Sequence, residues 1–482
     1  MNKISMDTIV SLAKRRGFIF QHDELYGGLG SVWDYGPYGA LMKENIKRAF
    51  IDYFVKGRDD VVLVDTAILT KPEVLKASGH VDSFSDPLVE CKVCHKRYRT
   101  DEIESQISNL ESQNLIQNSK LEDTKCEDGK EHQFTEPRNF NLMFSTKLGS
   151  TEEATEMAYL RPETAQGMFT NFANVMDSTR RKLPFGIAQI GRSFRNEITT
   201  GNFNFRAREF EIAEIEYFIK KGEDEKWFLV WISLWEQFIY SLGVKEGTLH
   251  HYEHPKEKLA HYSKETTDLE YDFPFGRGEI AGIANRTDFD LKAHQKASGK
   301  SLKVFDPSTS SGQAEKYLPY VIEPTMGIDR VLLALLCDAI EVFPQGRKSE
   351  IRNPKSETIS NDQNSNDQNE ELQQEIVLHL DPKIAPIQVA VLSLSKKSEL
   401  TEPAEKIAKE LRQEFMVEYD ETGSIGKRYR RQDEIGTPLC VTYDFDSIND
   451  KMVTVRNRDT MEQDRVAVDD LAHYLQTELE EW

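Results

Sequence analysis

The chain is predicted to fold as an α+β unit built on antiparallel strands, followed by a smaller C-terminal α/β unit. Three observations carry this. Between Gln189 and Phe218, two strand-forming runs, 194–198 and 205–218, flank the polar turn Thr199-Thr200-Gly201-Asn202; a Gly/Asn connection between β-prone runs signals a hairpin. Residues 349–375 are rich in Asn, Asp, Gln and Ser and locally repetitive, so they cannot bury enough apolar surface to fold and read as a disordered linker. Beyond them, the buried-strand run 387–392, the amphipathic stretch 401–413 and further alternating short strands and helices make an α/β unit with a mostly parallel sheet. The resulting division is 1–345, a polar linker at 346–375, and 376–482.

The hairpin carries more than structure. Arg192, Arg195, Arg206 and Arg208 crowd it, accompanied by Glu197, Glu209, Glu211, Glu214 and Glu216. Alternate strand residues share a face, so Phe210, Ile212, Glu214 and Glu216 line one side, and Glu209, Glu211, Ala213 and Ile215 the other. A sheet that only packed a core would keep its charges on the wet face. Two readings stand: a solvated hairpin laced with ion pairs, or a surface that grips a polyanion with arginines and a cation with carboxylates.

Composition sets the limits. With 482 residues, 38% hydrophobic and 30% charged, the chain suits two or three soluble domains. No apolar run approaches a membrane span, and the N-terminus does not read as a signal peptide. Five cysteines are too few for a disulfide framework at this length, so a reducing cytoplasm is expected. A net charge of −21 argues against nonspecific nucleic-acid coating, but basic clusters at Lys14-Arg15-Arg16 and Lys427-Arg428-Tyr429-Arg430-Arg431 leave room for an RNA partner.

In chain order, the glycines between Tyr26 and Gly39 suggest loops rather than a phosphate cradle, since no Gly-Lys-Ser/Thr follows. Residues 40–55 have helical spacing, with Leu41, Ile46, Phe50 and Phe54 on one face, and the β-rich run 61–64 leads to Thr70-Lys71-Pro72. An insertion at about 88–137 holds Cys91-Lys92-Val93-Cys94, Cys126 and His132. A CxxC presents two thiolates already oriented for zinc; a Cys3His site and a metal-free knuckle both remain open. Residues 105–128 read as a solvated helix or arm. Glu163, on a turn into a helix, is either a helix N-terminal charge or a ligand, and 227–242 is aromatic and apolar at helical spacing, a core segment.

Phe194-Arg195-Asn196-Glu197 followed by Phe205-Arg206-Ala207-Arg208-Glu209-Phe210 resembles motif 2 of the class II aminoacyl-tRNA synthetases. Helix, strand and proline at 40–72 resemble motif 1, the family's dimer interface, and Glu323-Pro324-Thr325-Met326-Gly327-Ile328-Asp329-Arg330 resembles motif 3. The flanking words, among them Arg161-Pro162-Glu163-Thr164 and the run from Gly276 to Leu291, are similar to homodimeric glycyl-tRNA synthetases over nearly the whole chain. The C-terminal unit, through Gly423-Ser424-Ile425-Gly426-Lys427-Arg428-Tyr429, resembles the anticodon-binding domain of that class.

The resemblance implies a class II catalytic fold on an antiparallel sheet, an anticodon-binding domain, ATP with Mg2+, glycine and tRNA(Gly) as substrates, a homodimer and a possible structural Zn2+. It implies that Arg195 holds the α-phosphate, Glu197 reads the adenine amino group, Arg206 reaches the distal phosphates, Phe210 stacks on adenine and Arg330 closes from the other side. Asn196, Phe205, Ala207, Arg208 and Glu209 complete that motif, Glu279 and Ile280 meet ATP and magnesium, and Gly327, Ile328 and Asp329 precede Arg330. Arg99, Glu163, Phe210, Glu211, Glu214, Glu323 and Thr325 are expected around glycine. Lys427, Arg428, Arg430 and Arg431 are expected on the tRNA, with the solvated basic turn as the alternative, and Cys91, Cys94, Cys126 and His132 on zinc. Thr325 stands where the family usually has serine, and Arg277 and Ala281 also depart from its pattern. Two rivals stay open: a synthetase of this class for serine, threonine or proline, and a non-enzymatic synthetase-like nucleic-acid-binding subunit.

Overall fold

The computed structural model describes residues 4–95, 97–99, 126, 130, 133–149, 156–197, 201–305, 316–343 and 375–482. The residues expected to form the linker, apart from Glu375, lie outside these, as do most of the charged arm at 105–128 and His132.

Seven strands form the central sheet: β1 (Val61–Leu63), β2 (Phe185–Phe194), β3 (Glu209–Ile219), β4 (Leu249–Glu253), β5 (Glu265–Phe273), β6 (Gly276–Thr287) and β7 (Tyr320–Gly327). Their spatial order is β4-β5-β6-β7-β3-β2-β1, and every pairing is antiparallel except β1 with β2. The hairpin expected from sequence is the β2–β3 pair, in register from Phe185↔Phe218 to Phe194↔Glu209. Its connection is much longer than the expected four-residue turn. The Arg195 N–H still reaches the Arg208 carbonyl, but the Asn196 N–H turns to Leu142 and the Arg208 N–H to Ser31. The ladder therefore stops at Phe194 and Glu209, and the described residues 195–197 and 201–208 lie outside it.

Six helices flank this sheet: α1 (Met6–Arg16), α2 (Pro37–Phe50), α3 (Ala165–Thr179), α4 (Asp224–Ser241), α5 (Phe289–Ser298) and α6 (Ile328–Ala339). Proline at the first position of α2 has its ring angle already set for a helix and no N–H to waste. After Phe50 the chain passes into a π-helical turn, Ile51–Lys56. On one face of the sheet Ile46, Phe50, Phe54, Trp231, Trp235 and Phe238 pack with Ile215 and Tyr217 in the main core. On the other face α3 lays Phe169 and Phe172 against Phe185, Ile187 and Phe218.

After α6, β8 (Ile340–Phe343) pairs with β9 (Glu375–Leu378), and Leu378, Leu380, Ile384 and Ala385 still pack in the main core. A second core begins at Val389. It is built on β10 (Val389–Ser393), β11 (Val417–Asp420), β12 (Leu439–Tyr443), β13 (Met452–Asn457) and β14 (Gln463–Ala467), with α7 (Ser398–Leu411), α8 (Ile425–Ile435) and α9 (Leu471–Glu480). The strand order is β11-β10-β12-β13-β14. The sheet is mixed rather than mostly parallel: β10 is parallel to β11 and β12, while β13 and β14 add an antiparallel hairpin. The two units meet where Arg15 and Arg16 of α1 pair with the buried Glu434 of α8.

A Cβ on Gly39 of α2 would stand 1.9 Å from the Phe18 carbonyl oxygen. Helix propensity alone would favour alanine by about 1 kcal/mol, but overpacking against backbone costs about 1–3 kcal/mol. Gly39→Ala is therefore expected to lower the melting temperature; an unchanged or higher value would show that α2 and Phe18 are not packed this closely.

Candidate active site

On β3, Phe210, Ile212, Glu214 and Glu216 face α3, whereas Ala213, Ile215 and Tyr217 face the main core, because strand side chains alternate. Register supplies the neighbours. Glu214 stands opposite Gln189 on β2 and Thr325 on β7, Glu323 shares the face of Thr325, and Ala284 on β6 stands opposite Glu323. A cavity of about 330 Å³ lies between this face and the segments 195–197 and 201–208. Glu163, Arg195, Glu197, Phe205, Arg206, Ala207, Phe210, Glu214, Glu279, Glu323, Thr325, Gly327 and Arg330 all line it, so most of the residues singled out in the sequence converge on one space.

The cavity lining mixes arginines with carboxylates. Arg195 donates from Nε to the Pro162 carbonyl at 3.1 Å and lies 5.4 Å from the Phe210 ring centre. Arg330 donates to the Phe205 carbonyl (3.1 Å) and to Oε2 of Glu279 (3.0 Å) and covers the Phe205 ring. Asp268 on β5 adjoins Glu279; burial and the Glu279 charge push its carboxyl up to about 7, against its hydrogen bond with His254.

The acids Glu163, Glu214 and Glu323 are buried. Burial alone would raise the Glu163 carboxyl, but the charge and hydrogen bond of His80, with Arg286 and Gln166, outweigh it and hold the group well below the ordinary range. His80 Nε2 stands 3.1 Å from Oε2 of Glu163, and His80 Nδ1 stands 2.7 Å from the Ser78 hydroxyl. Glu214 accepts from the Thr164 N–H (3.1 Å), the Thr164 hydroxyl and the Thr325 hydroxyl (3.0 Å); burial and the Glu163 charge nonetheless raise its carboxyl. Burial raises Glu323 further, opposed by Arg286. Arg286, 1% exposed, donates bidentately to Asp290 (2.7 and 2.9 Å) and to Oε1 of Glu323 (2.7 Å). Its guanidinium lies 3.8 Å from the Tyr262 ring centre.

Several expected site residues also make scaffold contacts. Glu211 lies on the cavity wall, and Lys43 and Lys47 of α2 each approach its carboxylate at 3.2 Å. Asp329 reaches the cavity wall, but its carboxylate is taken by Lys43 (2.6 Å), Tyr35 and the Glu211 N–H. Ile280 and Ile328 are buried in the main core. Arg208 spends its guanidinium on the Glu197 and Gly30 carbonyls, Glu209 pairs with Arg192, and Asn196 anchors the loop through its N–H. Arg99 lies in a strand, Arg97–Arg99, paired opposite Leu88. Conversely, His80, Gln166, Asp268, Arg286 and Asp290 were not singled out. The signal that could have found two of them is the Arg286/Asp290 spacing of four at a strand-to-helix junction.

In the insertion, the sulfurs of Cys91 and Cys126 are 3.8 Å apart, with Cys94 completing a group whose sulfurs all lie within 4.8 Å of one another. A disulfide needs about 2.05 Å. Tetrahedral zinc with Zn–S of about 2.3 Å would space its sulfurs at about 3.8 Å, so these thiols fit that metal. In the C-terminal unit, Lys427, Arg430 and Arg431 of α8 and Arg15 and Arg16 of α1 line an open cleft of about 700 Å³. Arg428, expected on RNA, is not part of it: it is 1% exposed, and its guanidinium donates to the carbonyls of Ser393, Glu421 (2.6 Å) and Gly423 (2.9 Å).

Comparison with known proteins agrees with this layout. Residues 144–338 match the tRNA synthetase class II core domain (G, H, P, S and T), and residues 388–478 match an anticodon binding domain. The chain is 51% identical to a glycine--tRNA ligase of Bifidobacterium longum over 480 residues, covering 98% of this chain and 93% of the relative. It is 49% identical to one from Streptomyces coelicolor over 478 residues, covering 98% of each. A crystal structure of a prolyl-tRNA synthetase from Cryptosporidium parvum, complexed with halofuginone and AMPPNP, shares the fold with a TM-score of 0.60 at 15% identity, covering 99% of this chain and 77% of that one. Identity of about half over nearly the full length of chain and relatives, with matches to both the catalytic core and the anticodon-binding domain, shows that the chain belongs to the glycine--tRNA ligase family of class II aminoacyl-tRNA synthetases.

Proposed function

We propose that this protein attaches glycine to tRNA(Gly) in two steps within the 330 Å³ cavity. The glycine carboxylate attacks the α-phosphorus of ATP, forming glycyl-adenylate as pyrophosphate leaves. The terminal ribose hydroxyl of the tRNA then attacks the glycyl carbonyl, and AMP leaves. The observation that carries this reading is that one cavity is lined both by Arg195, Arg206 and Arg330, able to meet phosphates, and by the buried acids Glu163, Glu214 and Glu323, able to meet an ammonium. Phosphoryl transfer of this kind depends on positioning and charge stabilisation more than on a general base. Arg195 takes the α-phosphate, Arg206 the distal phosphates, Phe210 the adenine face and Glu197 its amino group. Arg330, held by Glu279 when no nucleotide is present, closes on the triphosphate. Glu279, with Asp268 beside it, would hold Mg2+, which neutralises phosphate charge when bound.

The buried acids take the glycine ammonium, with Thr325 and Thr164 orienting Glu214. Glycine offers no side chain to read, so selection rests on leaving no room at Cα; a wall rejects a larger substrate more strongly than a pocket rejects a smaller one. Cys91, Cys94 and Cys126, with His132 as the fourth ligand, would hold a structural zinc ion. Leu63, 44% exposed on the edge strand β1, and Leu69, 50% exposed on a short strand of a separate small sheet, suit burial against a second copy in a homodimer. Among the described residues no helix is long and apolar enough to cross a membrane, and we place the enzyme in the cytoplasm. Residues 1–345 form the catalytic unit, 346–375 the linker and 376–482 the anticodon-binding unit, with 376–385 packed on the catalytic core. The RNA surface is the cleft lined by Arg15, Arg16, Lys427, Arg430 and Arg431, with Arg428 bracing it from beneath.

Arg195→Ala should remove glycine-dependent ATP–pyrophosphate exchange while the melting temperature stays close to wild type, since one exposed-end guanidinium is lost and no core contact. Near-normal exchange would put the chemistry elsewhere. Protein purified without chelator should carry close to one zinc per chain, falling sharply in Cys126→Ser; no zinc in the wild type would leave a metal-free knuckle. Replacing Lys427 and Arg430 together by alanine should weaken tRNA binding several-fold at physiological salt and leave exchange unchanged, because phosphate contacts carry most RNA affinity. Unaltered tRNA affinity would make α8 an ordinary solvated helix face.

A further inference from the structure

Resting on the glycine reading above, we propose that Glu216 adds a further carboxyl to the ammonium site beside Glu163, Glu214 and Glu323, and that glycine enters by exchanging its ammonium for a proton held among Glu214, Glu216 and Glu323. Glu216 was read from the sequence only as one of the hairpin's acids. In the fold it is 0% exposed, and neither carboxylate oxygen has a hydrogen-bond partner. Leaving such a group buried and unpaired is costly unless it is neutral or meets a cation. Carboxylate oxygens of Glu214, Glu216 and Glu323, all buried, lie within 4.8 Å of one another. That spacing matches the three N–H donors of an ammonium, and Glu214 and Glu323 open onto the cavity.

The charges around Glu216 leave no other balance. On its own strand stands Glu214; on β7, Glu323; on β6, Arg286; on α5, Asp290; in the turn before α3, Glu163; and across on β2, Ile187 is apolar. Arg286 is already committed to Asp290 and Glu323, and His80 to Glu163. Three carboxyls this close in a dry site cannot all be ionised, and their protons belong to the group rather than to one member. Burial, with the Glu323 charge, raises Glu216 far above the carboxylate range. An arriving ammonium supplies the missing positive charge, so a proton leaves. By linkage, glycine affinity then rises with pH, up to tenfold per unit for one proton released.

The test is calorimetric titration of glycine into the full-length protein with Mg2+ and α,β-methylene-ATP, at pH 7 in PIPES and in Tris. Their ionisation enthalpies differ, so the measured heat should differ between them by an amount corresponding to about one proton released per glycine. Glu216→Gln, close to isosteric, should cut that release and weaken glycine binding tenfold or more, while affinity for the ATP analogue is unchanged. Equal heats in both buffers for the wild type overturn the proposal, whether or not the variant folds. A folded Glu216→Gln with wild-type affinity and proton release overturns it too. A wild type that binds the nucleotide but no glycine fails the functional reading itself, a result distinct from glycine binding without proton release.

Discussion

The buried acids of the cavity depend on Arg286. Four glutamates and Asp290 gather in a volume from which water is largely excluded, and like charges there repel strongly because little dielectric separates them. Arg286 is the buried guanidinium that makes the gathering tolerable, clamping Asp290 bidentately through Nε and Nη2 and holding Glu323 through Nη1 at 2.7 Å. A lysine could not replace this arrangement, because the planar fork presents donors in several directions at once. Breaking one partner of such a buried pair leaves an uncompensated charge, worth about 3–5 kcal/mol. Arg286 therefore belongs to the stability of the sheet as much as to its site.

Around that clamp the antiparallel ladder does the positioning. Glu214, Glu323 and Thr325 sit on adjacent central strands, so their spacing is set by backbone hydrogen bonds rather than by loop conformations. The opposite face is sealed by α2, α4 and α6 through Trp231, Trp235 and Phe238, which leaves a single face for the chemistry. The arginines are held differently. Arg195 and Arg206, with Glu197, lie outside the ladder, in segments tethered by the Asn196 and Arg208 N–H groups to distant carbonyls. The acid pocket is thus fixed by the sheet ladder, whereas Arg195 and Glu197 are held through long-range contacts to loop carbonyls.

How much of this was legible follows from what each pattern encodes. The β2–β3 hairpin, the helices over 40–55 and 227–242, and the buried strand at 387–392 were readable because local periodicity reports which face is buried. The alternation on β3 placed Glu211 on the face opposite Glu214, while motif resemblance put it with glycine; it lies on the cavity wall with its carboxylate held by Lys43 and Lys47. Where the β2–β3 ladder stops was not legible, since it depends on carbonyls of Ser31 and Leu142, far away in sequence. Nor was the burial of Arg428: in a run of basic residues on one helix, only the position of β10 decides which one is turned inward to Ser393. His80 and Gln166 were invisible for the same reason, because each gains meaning only through a partner brought close by folding.

The glycine reading also accounts for how one sheet could hold a cation beside a polyanion. Fully ionised acids would attract the nucleotide's magnesium and repel its phosphates. Burial raises the carboxyls of Glu214, Glu216 and Glu323, so under that reading their field on the phosphates would stay weak. Thr164 and Thr325 point hydroxyls at Glu214 from two sides, which fixes the carboxylate's direction without adding charge. In Thr325 the hydroxyl comes with a methyl on the same carbon, and the bond to Glu214 holds that carbon in place. A group that cannot swing aside is a firmer wall than one that can, so under the proposed reading a single residue would both steer the ammonium-binding acid and narrow the space beside it.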